Sequence, residues 1–146
     1  MPAKKCEHNR QKSRCKECDL GGHMKYIVAV RIRRALTSKS NHTIEYLGCD
    51  IKFYIGFIEA QFNNKMNWDN YGTYWEIDHV VPVNWHNPSA EEKILRLHYT
   101  NTQPLSKEEN MKKSNNLRLI EDLDKIERFY KWKGEYYQKF NCSLKV

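Results

Sequence analysis

The sequence predicts an α+β protein, mostly helical, in which a strand–strand–helix unit is flanked by helices and preceded by a small Cys/His module. Three observations carry this. Residues 74–83, YWEIDHVVPV, are rich in Tyr, Trp, Ile and Val and run into Pro82 and Asn84, the composition of a strand entering a turn. Ser106 stands three residues before Glu109 in a capping-box spacing, with helix-tolerant Lys, Glu and Met following, so residues 106–115 read as a short helix. The segments on either side carry apolar residues at helical spacing.

Composition bounds the rest. A chain of 146 residues suits one compact domain with an appended module. No apolar run approaches the roughly 18 residues needed to span a bilayer, and the basic N-terminus lacks a following apolar stretch. The expectation is an intracellular, non-secreted protein without a membrane partner. The net charge is +7, divided as +4 over residues 1–25, zero over 26–106 and +3 over 107–146. Basic ends around a balanced middle suit a protein that grips a polyanion such as DNA. A basic surface kept for solubility explains the same charge.

Taken in order, residues 1–24 hold Cys6, His8, Cys15 and Cys18 among Lys and Arg, with almost no apolar side chain to build a core. Zinc held by three thiolates and one imidazole would supply the missing folding free energy, with His23 as an alternative to His8 for the fourth ligand. A basic tail with free thiols is the other reading. The five cysteines are an odd number, which argues against a disulfide framework. Over residues 25–40, Val28, Ile32, Ala35 and Leu36 recur at helical spacing, although the β-branched run 27–32 also suits a strand; the helix is preferred. Arg31, Arg33 and Arg34 on it would meet phosphates or solvent. After a polar break at residues 38–43, Asp50 is placed to cap a helix through Phe62 with Ile51, Ile55, Ile58 and Phe62 as its stripe. Cys49 reads as a small buried hydrophobe beside it. The turn-rich stretch 63–72 carries Met66, Trp68 and Tyr71, which suit core packing or the face of a base.

The strand at 74–83 and a second at 98–105, with Pro104 near its end, form a hairpin around an excursion that includes Trp85 and His86. Asn110 and Lys113 lie one turn apart on the following helix and can face Asp78 and His79. A carboxylate and an amide oxygen are sufficient protein ligands for a hard divalent cation, which keeps several waters. A neutral imidazole beside them can take a proton from water near physiological pH.

The run Asp78-His79, Pro82, then Asn101-x-Gln103-Pro104-Leu105, then Asn110-x-x-Lys113 resembles the HNH endonucleases, whose site is called the ββα-metal motif. Upstream, Leu47-Gly48-Cys49, Phe62, Met66, Trp68 and Tyr71-Gly72 are similar to the helical lead-in of a phage- and virus-type subgroup, so the resemblance covers residues 44–115. It implies a DNA substrate, one catalytic cation on Asp78 and Asn110, His79 as the base that activates water, and Asn101 as the brace of the loop holding that histidine. Lys113 would approach a phosphate as a point charge, with Lys112, Arg31 and Arg34 as further nucleic-acid contacts. Asn110 stands where the family name requires a third His, so the chain looks like an HNN variant, which favours Mg2+ or Mn2+ over zinc. One such site cuts one strand; a double-strand break requires a homodimer or two successive nicks. The competing expectation is a non-catalytic, zinc-dependent nucleic-acid-binding or virion DNA-packaging protein on a degenerate nuclease scaffold.

Leu119, Leu123, Ile126, Tyr130 and Tyr137 fit one long C-terminal helix over 116–140, with Gly134 as a weak point and Cys142 a free thiol beyond it. The expected organisation is a zinc module at 1–24 and a nuclease domain at 25–146, comprising a helical lead-in at 25–72, the hairpin–helix core at 73–116 and the C-terminal helix at 117–146.

Overall fold

The computed structural model describes residues 4–36 and 43–139. Cys142 and most of the polar break at 38–43 lie outside them. The elements are α1 (Leu20–Ala35), α2 (Thr43–Leu47), α3 (Ile51–Glu59), β1 (Trp75–His79), α4 (Ala90–Leu95), β2 (Thr102–Ser106), α5 (Lys107–Lys113) and α6 (Leu123–Lys139), with 3-10 turns at Lys12–Arg14 and Tyr99–Asn101. This is a mixed protein of helices around one two-stranded antiparallel sheet, with a Cys/His cluster near its N-terminus. No helix among the described residues is long and apolar enough to cross a membrane.

β1 and β2 pair in the register Trp75↔Ser106, Ile77↔Pro104 and His79↔Thr102. Pro104 therefore lies mid-strand. It is tolerated because the flanking bonds, Lys107 N to Tyr74 O and Val80 N to Asn101 O, make Ile77 and Pro104 a pair that exchanges no hydrogen bond. Ser106 closes β2 and opens α5 in one residue: its hydroxyl accepts from Glu109 N at 3.1 Å.

The core gathers Met24, Val28 and Ile32 of α1, spaced four apart on one face, with Tyr46, Leu47, Tyr54, Ile58, Trp75, Ile77 and Leu97. Trp75, fully buried, is ringed by Phe62, Trp68 and Tyr71 at centroid distances of 4.9, 5.2 and 4.8 Å. Met66 packs against the same cluster, so the stretch 63–72 serves the core. Gly48 makes the turn between α2 and α3 at φ +81°, where a Cβ would collide with the His98 ring.

Several boundaries differ from the sequence reading. α1 starts at Leu20, capped by Asp19, whose carboxylate accepts from Gly22 N at 2.9 Å, so the boundary expected after residue 24 falls inside a helix. α3 ends at Glu59, leaving Phe62 to the aromatic cluster, and Phe53 is exposed. The excursion contains α4, capped by Ser89, which the polar composition of 84–93 concealed. β2 begins at Thr102, because His98 caps the 3-10 turn. The C-terminal helix begins at Leu123 and continues through Gly134; it buries Ile126 and Phe129, while Leu119, Leu123 and Tyr130 are exposed. Cys49 is only half-buried.

Candidate functional site

Cys6, His8, Cys15 and Cys18 converge at the N-terminus. A turn closed by Cys6 N to Arg10 O and by Asn9 N to Cys6 O folds the first pair back on the second, with Asn9 in the left-handed region. His8 Nδ1 lies 3.9, 3.5 and 3.5 Å from the sulfurs of Cys6, Cys15 and Cys18, and all four ligand atoms fall within 4.8 Å of one another. With Zn–S of about 2.3 Å and Zn–N of about 2.05 Å, a regular tetrahedron requires an N···S edge of about 3.6 Å. The cluster thus has the donor set and the size to hold zinc. His23 stands outside it, with Nδ1 2.7 Å from Arg14 O and its ring edge-on to Tyr71.

The thiols show what a cation would relieve. Burial raises Cys6, but hydrogen bonds from the Arg10 and His8 backbone and from the His8 and Cys15 side chains bring it down to about 6; burial, then the bonds and charges of Cys15 and Cys6, push Cys18 up to about 12. Adjacent thiolates cannot all ionise without a counter-charge. The module is fixed to the rest of the protein: Lys16 Nζ donates to Asp69 O at 2.6 Å, and Gly22 lies so close to Ser13 O that no side chain fits between them.

His79, at the end of β1, opens on a cleft of about 630 Å³ walled by Tyr26, Arg31, Arg34, Tyr71 and Glu76. Burial and the positive charges of Arg31 and Lys113 push its imidazole down to about 3, so it is neutral at physiological pH. Asn101, fully buried, holds the segment that follows: its Oδ1 accepts from Val81 N at 2.8 Å and its Nδ2 donates to Val81 O at 2.9 Å and Arg96 O at 2.8 Å.

Asp78 points away from that cleft into a buried polar network. Its Oδ1 accepts from Lys113 Nζ at 3.3 Å and its Oδ2 from Gln103 Nε2 at 2.9 Å. Burial raises the Asp78 carboxyl, opposed by the Lys113 charge and by both bonds. Lys113, expected at a phosphate, is instead buried, held by Asp78 and by His79 O at 2.9 Å. Asn110 turns toward Glu76, with Nδ2 3.4 Å from Oε2. Lys112 is exposed and paired with Glu108 at 3.0 Å. The structure therefore brings Asp78 and Lys113 into contact and sets Arg31 and Arg34 around His79, while Asn110 meets Glu76 rather than Asp78.

Gln103 belongs to the Asn101-x-Gln103-Pro104-Leu105 segment, whereas Glu76, Asp122 and Arg96 stand in no motif. Glu76 shares the face of Asp78 two residues on, a period-two signal that was available. Asp122 gave no such signal, since it looks like one acid among several on a helix. Arg96 donates to the carbonyls of Pro82, Val83 and Trp85 and so ties the end of the excursion to its start.

No family model matches the sequence, and no solved structure matches it. Two proteins of Acanthamoeba polyphaga mimivirus are similar. The uncharacterized protein L426 is 38% identical over 96 residues, 63% of this chain and 42% of that protein. The uncharacterized protein L246 is 32% identical over 120 residues, 78% of this chain and 53% of that protein. The chain spans about half the length of the curated relatives it matches.

Proposed function

We propose that this chain is a metal-dependent endonuclease of the HNH type, hydrolysing phosphodiester bonds in DNA. One observation carries the reading: a neutral histidine at the end of the first strand of a hairpin faces a cleft walled by Arg31 and Arg34, and the helix that follows the second strand packs on the same hairpin. Arg31 and Arg34 receive the backbone phosphates. His79 accepts the proton of the attacking water, the water oxygen bonds to phosphorus, and the P–O3′ bond breaks, leaving a 5′-phosphate and a 3′-oxygen that takes a proton from solvent. Asn101 keeps His79 at its post by clamping Val81.

The oxygen donors of Asp78, Asn110 and Glu76 would suit magnesium or manganese by chemistry, although in this structure the Lys113 ammonium already neutralises Asp78 and the Asn110 amide faces Glu76. Such a cation supplies Lewis-acid stabilisation of the charge that develops on the phosphate. Binding there requires Asp78 to share or exchange the Lys113 contact. The His79 ring is a weak base at about 3, and phosphate charge arriving beside Arg31 raises it toward the useful range.

The occupied Asp78 and the weakly basic His79 favour a second reading, a non-catalytic zinc-dependent protein that binds or packages DNA on the same scaffold. Supercoiled plasmid with magnesium separates the two, beside EDTA and His79→Ala controls. Nicking lost in both controls supports the enzyme. Salt-sensitive binding without cleavage in magnesium or manganese supports the binding protein.

A further inference from the structure

We propose that Gln103 and Asp122 are positioning residues for Asp78, forming a buried relay that fixes the direction in which its carboxylate offers its free lone pairs; this rests on the nuclease reading above. Gln103 is fully buried on β2, directly opposite Asp78 in the hairpin register. Its Nε2 donates to both Asp78 Oδ2 at 2.9 Å and Asp122 Oδ2 at 3.0 Å, and its Oε1 accepts from Lys125 Nζ at 2.8 Å. The amide has one workable orientation. Flipped, it would set its oxygen against two carboxylates and its NH2 against an ammonium.

Asp122 is fully buried too, and a lone buried carboxylate is costly. It is held by a bidentate fork from Arg118, Nε to Oδ2 at 3.1 Å and Nη2 to Oδ1 at 2.9 Å. The chain between α5 and α6 leaves Leu119 and Ile120 exposed while delivering Asp122 to the interior, with the half-buried Arg118 closing over it. A loop that served packing alone would do the reverse.

The sequence of contacts runs Arg118, Asp122, Gln103, Asp78, Lys113. It alternates cation, acid, amide, acid and cation, so each polar group is satisfied and the Asp78 carboxylate plane is set from both of its oxygens. Removing a partner that orients a metal ligand typically weakens metal affinity by about 10–100-fold.

The test uses the zinc-loaded 146-residue chain and two variants, Gln103→Met and Asp122→Asn, with Mn2+ binding followed by electron paramagnetic resonance, plasmid nicking against magnesium concentration, and thermal unfolding. A folded variant should bind Mn2+ about tenfold or more weakly and need correspondingly more magnesium for half-maximal nicking, with its affinity for DNA in magnesium-free buffer unchanged. Should either variant unfold, the other carries the same expectation. Lower thermal stability with unchanged Mn2+ affinity in the variants would mean the relay serves the fold only and would overturn the proposal. Absence of Mn2+ binding by the wild-type chain would overturn it as well. A wild-type chain that binds Mn2+, loses it in the variants and nicks no DNA would sink the nuclease reading while leaving the positioning role standing.

Discussion

The Lys113 ammonium lies 3.3 Å from Asp78 Oδ1, with side-chain exposures of 1% and 8%, so the two charges face each other almost wholly out of water. In that setting a pair contributes little net stability, but breaking it is costly because the surviving charge has no partner. Lys113→Met should therefore destabilise the protein by about 3–5 kcal/mol in urea unfolding. The double variant Asp78→Asn with Lys113→Met should cost less than the sum of the two single changes. Additive losses would show that the pair is not coupled.

The hairpin and α5 were legible because each rests on local chemistry: the aromatic and β-branched run around Trp75 and Ile77, and Ser106 three residues before Glu109. The Cys/His module was legible for the same reason, since spacing alone limits which ligands can meet. What the side chains of Asp78, Asn110 and Lys113 do was not. A helical wheel puts Asn110 and Lys113 on one side, but the depth of each depends on where α5 docks on the sheet, and Lys113 reaches past the strand end into the interior. The stretch 114–122 misled because Leu119 fits a helical stripe, whereas in the structure Leu119 is exposed and the chain makes only a single turn at 118–122, closed by Asp122 N to Arg118 O, that carries Asp122 into the interior.

His98 gives a pH dependence of stability. Its ring stacks on Trp132 at 3.6 Å and 9°, and burial pushes it down to about 4. Above the ordinary value of about 6.5 neither state holds the proton and its contribution is fully present. As the pH falls from there toward about 4, the unfolded chain takes up a proton that the native ring refuses, so stability declines by up to about 1.4 kcal/mol per pH unit. His79 acts in the same sense down to about 3, whereas the raised Asp78 carboxyl acts oppositely. Urea midpoints at about pH 7 and about pH 5 should differ, and His98→Gln should show a smaller difference than wild type. Equal differences would mean that His98 is not held neutral.

Zinc should be required for the N-terminal half of α1 to dock. Cys15 is fully buried, and the module meets the aromatic cluster through Lys16 and His23. Cobalt substitution should give the visible absorption of tetrahedral thiolate coordination at one ion per chain. Chelation or Cys15→Ser should lower the unfolding temperature and expose amides of residues 5–24 to hydrogen exchange, because metal binding here is folding free energy. Unchanged exchange after chelation would show that the module folds without an ion.

Gly48→Ala combines two penalties. The residue adopts φ +81°, and an added methyl would meet the His98 ring, which cannot retreat because Trp132 stacks on it. Left-handed backbone costs a non-glycine residue about 1–2 kcal/mol, and overpacking about 1–3 more. A loss of about 2–5 kcal/mol in urea unfolding is expected. His98→Ala in the same background should recover the steric part and leave the backbone part, which a chevron or equilibrium melt of the four variants resolves.

Arg31 and Arg34 make the last case, because one of them serves two ends. Arg34 is exposed and has no ion pair among the described residues, so on the proposed reading Arg34→Gln should weaken DNA binding evenly across sequences and flatten the salt dependence by about one counterion. Arg31 does this too, but it also lowers the His79 imidazole and the Tyr71 hydroxyl. Arg31→Gln should therefore raise the His79 value above about 3 in an NMR titration, where Arg34→Gln should not. If nicking is catalysed by His79, Arg31→Gln exchanges weaker binding for a stronger base: at saturating DNA its rate should fall less than its affinity does. A fall in both by the same factor would show that the depressed imidazole does not limit the reaction.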